Sequence, residues 1–247
     1  MTPLPAQAAV PRDIGLLEWF GRSETWTGDA GILASLLDTL SLCAAVMAFS
    51  VVVAVPLATV LAHHRRGELS ATWILNIGRA IPTFAIAGIL LPISLKNGYG
   101  FEPWPIFIAL TMLAVPPIYL TAYTAVSQAD PGAVDAARGM GLTERDVMVR
   151  VELALAAGLI LGGIRVAAVQ VVATEPIRAF LGGDGLGRYV RDGLGQNNDS
   201  LLIGGTILVA GLATVTGLVF GALERVALPH GARRLRHVQM KQPGETR

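Results

Sequence analysis

Long apolar runs without charge, broken by short polar stretches, set the pattern of this chain. Residues 39–64 contain no Asp, Glu, Lys or Arg, and residues 40–62 are rich in Val, Leu and Ala. Four further runs follow: 71–95, interrupted only by Arg79; 103–129, uncharged and holding Pro116 and Pro117; 151–177, with Arg165 inside it; and 200–223, again uncharged. A membrane helix needs about 20 mostly apolar residues, because lipid offers no partner to a backbone amide and each one must be satisfied within the helix. The pattern predicts about five spans joined by short loops, an all-α integral membrane bundle, with a kink at the paired prolines.

Composition sharpens this picture. The 247 residues are 53% hydrophobic and 15% charged, whereas an average soluble domain carries about 25% charge. That leaves too little polar surface to cover a water-facing core. The net charge is +1, which gives no bulk field for nucleic acid. The single cysteine, Cys43, lies in an apolar run, so an internal disulfide is excluded and a small buried hydrophobe is expected. The first 30 residues lack a basic flank followed by an apolar core, so no cleavable leader is expected.

Arginine and lysine set the orientation. One face holds Arg65, Arg66, Arg138, Arg145, Arg150, Arg225, Arg233, Arg234, Arg236, Lys241 and Arg247. The other holds Arg12, Arg22, Lys96, Arg178, Arg188 and Arg191. Eleven against six puts the N-terminus outside and the C-terminus in the cytosol. The expected organisation is an extracytoplasmic, interfacial segment 1–30, a membrane domain 31–228 and a basic cytosolic tail 229–247 read as a solvated end. Residues 14–26, with Trp19, Phe20 and Trp26, predict a short interfacial helix whose aromatics sit at headgroup level.

Residues 130–150 are patterned too strongly for a mere connection. Asp130 before Pro131 reads as an N-cap with proline at the first helical position, and Gly139 and Gly141 end that helix. Thr143 with Asp146 three residues on reads as a second cap in the manner of a capping box. The result is a cytosolic helical hairpin riding on two spans, shaped like a lever.

This hairpin carries a resemblance. Asp135-Ala136-Ala137, then Gly141, then nine residues to Val151, and Leu153-Ala154, resembles the EAA loop of ABC importer permeases. Asp135 stands where those proteins usually have Glu, Val151 where they have Ile, and Ala154 where they have Pro, so the hinge into the fourth span is expected to be straighter. Residues 78–83 (Gly-Arg-Ala-Ile-Pro-Thr), 163–165 (Gly-Ile-Arg) and 181–187 (Leu-Gly-Gly-Asp-Gly-Leu-Gly) are similar to permeases of osmoprotectant importers, which move glycine betaine, carnitine and choline. Methionine-type permeases share the five-span plan and are the nearest alternative.

The resemblance implies a type I ABC importer permease fold in a bacterial-type inner membrane. It also implies two ATPase subunits, a second permease chain, identical or homologous, and an extracytoplasmic substrate-binding protein as partners. Asp135, Ala136, Ala137, Gly139, Gly141 and Leu142 become the expected ATPase-coupling residues. No Walker lysine motif occurs, so no enzymatic site and no cofactor are expected on this chain, ATP being bound by the partners.

Charges at membrane depth give the candidate pathway. Arg79 costs about 2.5–3.5 kcal/mol at a helix centre, so it is expected to face protein, near a carbonyl freed by Pro82. Arg165, Gln170 and Thr174 mark a polar side of the fourth span, Gln170 and Thr174 sharing a face. Glu175 and Arg178 read either as an exposed pair capping that span or as a modified gate. The glycines at 182–187 predict a tight outer turn rather than a phosphate cradle, since they follow a membrane helix and no strand. His63 and His64 are expected at the cytosolic border, without a catalytic role. A stand-alone channel or secondary carrier lacks support. No internal inverted repeat is visible, and acidic residues within spans are nearly absent apart from Asp38.

Overall fold

The computed structural model describes residues 15–28, 31–65, 82–101 and 103–227. Among the described residues there is no strand. Helices α1 (Leu16–Gly21) and α2 (Ser23–Trp26) precede the long α3 (Ile32–His63), followed by α4 (Thr83–Lys96) and α5 (Trp104–Ser127). The hairpin consists of α6 (Pro131–Gly139), α7 (Glu144–Asp146) and a π-helix (Val147–Glu152) that runs straight into α8 (Leu153–Thr174). Then come α9 (Ile177–Phe180), α10 (Gly187–Gln196) and α11 (Asp199–Ala227).

Among the described residues four helices are long and apolar enough to cross a membrane: α3, α5, the run containing α8, and α11. They correspond to the first, third, fourth and fifth expected spans. Of the second, residues 71–81 and with them Arg79 lie outside the described residues, and the remainder is α4. The basic tail 229–247 also lies outside. Large apolar side chains stand outward, Val52, Ile89 and Leu218 each at least 65% exposed, which suits lipid as solvent.

The core is organised around α5, half of whose residues are buried. It lies between α3 and α8, and the three helices meet largely through alanines: Ala54 and Ala58 on α3, Ala109, Ala114 and Ala122 on α5, Ala167 and Ala168 on α8. Small side chains let backbones approach closely, the packing mode open to helices in lipid. Gly163 marks the tightest point. A Cβ there would fall 1.7 Å from Thr121 Oγ1, so α8 reaches α5 at this level only because the side chain is absent. α5 runs unbroken through Pro116 and Pro117.

Two expectations need correction. α3 begins at Ile32, upstream of residue 40, with Asp38 inside it. A carboxylate is tolerated there because Arg178 pairs with it. Trp19 is turned into the protein rather than outward as an anchor. It is 2% exposed, packed with Ile32, Leu186, Tyr189 and Leu201 in a second small core. Its ring stands edge-on to Tyr189 at 5.6 Å. Leu17 and Trp26 keep exposed positions.

Candidate functional site: the hairpin and the clamps of α3

The hairpin folds as its caps dictate. Asp130 Oδ1 accepts from the Gly132 amide at 3.0 Å, satisfying one of the orphan donors of the first turn of α6. At the other end Leu142 N–H donates to the Ala137 carbonyl and Gly141 N–H to that of Arg138, the paired bonds of a Schellman stop. Gly141 has φ of +84°, which only glycine adopts without strain. Thr143 Oγ1 accepts from the Asp146 amide at 3.2 Å and donates to Asp146 Oδ2 at 2.7 Å.

Val134, Ala137 and Val147 form a small core between the arms, with Leu142 against it. Arg138 closes the arms by two bonds to Glu144, 2.9 and 3.0 Å, and stands 3.6 Å from Asp135. The Arg138 hydrogen bond holds the Glu144 carboxyl below its ordinary range. Of the expected coupling residues, Asp135, Ala136, Gly139 and Gly141 face outward while Ala137 and Leu142 build the hairpin from within. The tip also presents Met140, 75% exposed, an apolar contact whose only signal in the sequence is its place between the two glycines.

His63, the last residue of α3, is held more closely than its place at a helix end suggests: its side chain is 5% exposed, with Nδ1 2.7 Å from Glu152 Oε2 and Nε2 3.3 Å from Glu144 Oε2. One imidazole thereby joins the end of α3 to the base and the second arm of the hairpin. The two carboxylates sit on opposite ring nitrogens, so they share no point at which a metal could be held. Among the described residues no His/Cys/Asp/Glu cluster forms a metal site.

The opposite end of α3 carries a second cluster. Glu175 and Arg178 do pair, at 3.1 Å, but both are buried, Glu175 completely, so an exposed cap is not what the structure contains. Thr39 Oγ1 donates to Glu175 Oε2 at 3.1 Å and accepts from the Leu186 amide at 3.0 Å. Arg178 also pairs with Asp38 and donates through Nε to the Asp184 carbonyl at 3.0 Å. Gly185, with φ of +98°, presses on this cluster, where a Cβ would meet Thr39 Oγ1 at 2.7 Å. Thus the glycine-rich segment is a turn moulded over a buried ion group. A cavity of about 570 Å³ opens beside it, lined among others by Asp38, Tyr99, Trp104, Phe107 and Arg178. Trp104 Nε1 donates to Ser94 Oγ at 2.9 Å, which fixes the ring.

The other pathway candidates do not converge on this cluster. Pro82 is an exposed N-cap of α4, Gln170 is exposed and Thr174 half-buried. Arg165 reaches across to α11, where Glu224 is 3.8 Å away.

Comparison with known proteins follows this geometry. Residues 32–228 match the family model described as binding-protein-dependent transport system inner membrane component. The chain is 32% identical to the choline transport system permease protein OpuBB of Bacillus subtilis, over 81% of this chain and 89% of that protein. It is 30% identical to the osmoprotectant import permease protein OsmW of Salmonella typhimurium, over 83% and 96%. Among solved structures, a chain of the MetNI methionine ABC transporter in an inward-facing conformation superposes with a TM-score of 0.68 at 20% identity. That match covers 80% of this chain and 96% of that one.

Proposed function

Because the chain belongs to the family of binding-protein-dependent transport system inner membrane components, we propose that it is the membrane-spanning permease of an ATP-driven importer for osmoprotectants of the quaternary-amine class. The observation that carries this is the hairpin: a capped, closed structure presenting Asp135, Ala136, Gly139 and Met140 outward, at the spacing by which importer permeases meet their ATPases. Two ATPases grip two such hairpins, one from this chain and one from a second permease chain, identical or homologous. Nucleotide-driven closure moves the hairpins and shifts the bundle between inward-open and outward-open states. ATP is bound and hydrolysed by those subunits, and this chain needs no cofactor of its own. An extracytoplasmic binding protein delivers the solute at the face opposite the hairpin. The hairpin and C-terminus are then cytosolic and the N-terminus outside.

The solute class rests on the relatives at about 30% identity, named for choline, glycine betaine and carnitine transport. The cavity beside the cluster around Glu175 offers Tyr99, Trp104 and Phe107 to such a cation, while Asp38 there is paired with Arg178. The likeness to the methionine transporter concerns the fold, and methionine or another amino acid is the alternative cargo.

The test replaces Gly141 with Leu. Nothing lies within 4 Å of the added Cβ, so the change acts through the φ of +84° and reshapes the tip alone. Loss of ATPase co-purification and of choline or glycine betaine uptake in proteoliposomes is expected. Retained ATP-coupled uptake with normal association overturns the hairpin's role, and uptake of methionine in place of the quaternary amines overturns the solute class.

A further inference from the structure

α3 and α8 run antiparallel, and over most of their length α5 lies between them and takes the packing of both. They are nevertheless fastened to one another at each end by polar contacts, buried at the Thr39 end and part-buried at the His63 end. At the hairpin end His63 of α3 holds Glu152, at the foot of α8, and Glu144. At the far end Thr39 of α3 holds Glu175, at the head of α8, together with the Leu186 amide of the glycine-rich turn. The two fastenings are about 36 Å apart along α3 at 1.5 Å per residue.

We propose that α3, α8 and these two clamps form a closed frame that carries motion of the hairpin to the 181–187 turn at the opposite face, with His63 and Thr39 as its positioning residues. Each clamp ties more than the two helices. His63 reaches both arms of the hairpin, because Glu144 is itself bound to Arg138. Thr39 reaches both the end of α8 and the turn, through one hydroxyl that donates to the first and accepts from the second. Helices are stiff along their axes, so a displacement of the hairpin relative to the bundle cannot be absorbed at its base while His63 holds. It is delivered as a shift of α3 and α8 together, and Thr39 passes it to the turn. Apolar side chains at positions 39 and 63 would fill the same space without directional contact. The polar groups add linkage rather than volume.

This inference rests on the reading of the hairpin as the grip of partner ATPases. The experiment uses the assembled transporter in proteoliposomes with Asp184→Cys as a reporter. Asp184 is exposed in the turn, and Cys43, the other thiol, is buried. The rate of modification by a membrane-impermeant maleimide is compared between the nucleotide-free state and the vanadate-trapped state. In the parent the rate is expected to change several-fold on trapping. In His63→Leu and in Thr39→Val that change is lost while ATPase association and hydrolysis persist. His63→Asn restores it, because its amide keeps a donor at the place of Nδ1, towards Glu152. Thr39→Val conserves shape and decides alone if the leucine variant fails to assemble. A trapping-dependent change of parental size in the clamp variants, or none in the parent, overturns the frame. Failure of the ATPases to associate with the parent instead overturns the hairpin's role, so the two outcomes are distinct.

Discussion

Removing one guanidinium measures how much the cluster around Glu175 depends on charge balance. Arg178 Nε lies 3.1 Å from Glu175 and 3.0 Å from the Asp184 carbonyl, and its side chain is 9% exposed. Arg178→Met keeps the aliphatic stem but takes the counter-charge away from the buried Glu175 carboxylate, which then has only its hydrogen bond from the Thr39 hydroxyl. Stranding a buried charge in this way costs about 3–5 kcal/mol. Asp38, whose side chain is 42% exposed, is rehydrated and adds little. Replacing both members, Glu175→Met with Arg178→Met, removes the stranded charge. What remains lost is chiefly the bonds to Asp184 and Thr39, about 1 kcal/mol each. The double variant is therefore expected to be more stable than Arg178→Met alone, with a coupling energy of about 3 kcal/mol in magnitude. Reversible unfolding in mixed micelles, followed by circular dichroism across the four-member cycle, measures it. An Arg178→Met protein within about 1 kcal/mol of the parent, with additive effects, would show that the buried pair does not stabilise the turn.

Three further outcomes follow from the packing. Gly163→Val forces α5 and α8 apart at Thr121 and is expected to cost about 1–3 kcal/mol or more; in the same assay, Thr121→Ala should recover part of the loss caused by Gly163→Ala, since it removes the Oγ1 at 1.7 Å but keeps the Cβ at 2.7 Å, and strictly additive effects refute the close approach. Trp19→Ala is expected to cost about 3–5 kcal/mol as a core truncation, whereas an anchor lying on the membrane surface would lose far less. In the hairpin, the depressed pKa of Glu144 means that its contact with Arg138 is fully present above the ordinary carboxyl value of 4.5 and is lost as pH falls through the lower folded value. Protection of the Leu142 amide, taken relative to its intrinsic exchange rate at each pH, should fall across that acid range in the parent and not in Glu144→Gln; identical profiles refute the link.

What was legible in the sequence follows from the range of the interactions. Spans are visible because lipid acts on every residue of a segment alike, and the hairpin because Asp130, Gly141, Thr143 and Asp146 act within two to five residues of themselves. The EAA-like spacing then singled out the hairpin residues. The clamps were invisible for the opposite reason. His63 and Glu152 are 89 residues apart, Thr39 and Glu175 136. Nothing local distinguishes a histidine at a helix end from one buried between carboxylates. Treating a charge as a helix boundary failed at Asp38 because its partner is 140 residues away. Trp19 was misread because an aromatic in a short amphipathic segment has the same pattern whether it meets lipid or a groove beside α11.

The π-helix at Val147–Glu152 has a geometric consequence for recognition. A widened turn accommodates one residue more than an α-helix would, and each residue rotates a helix by about 100°. Everything N-terminal to it, including the face that carries Asp135 and Ala136, is therefore aimed about a quarter-turn away from where an uninterrupted continuation of α8 would point it. Which side of the protrusion meets a docking partner is decided at its root, by residues that need never touch that partner. Drawing those same residues into an α-helix would leave every tip side chain in place and turn them all to the wrong azimuth, whereas excising one of them would let the root close as an α-helix with the tip aimed nearly as before.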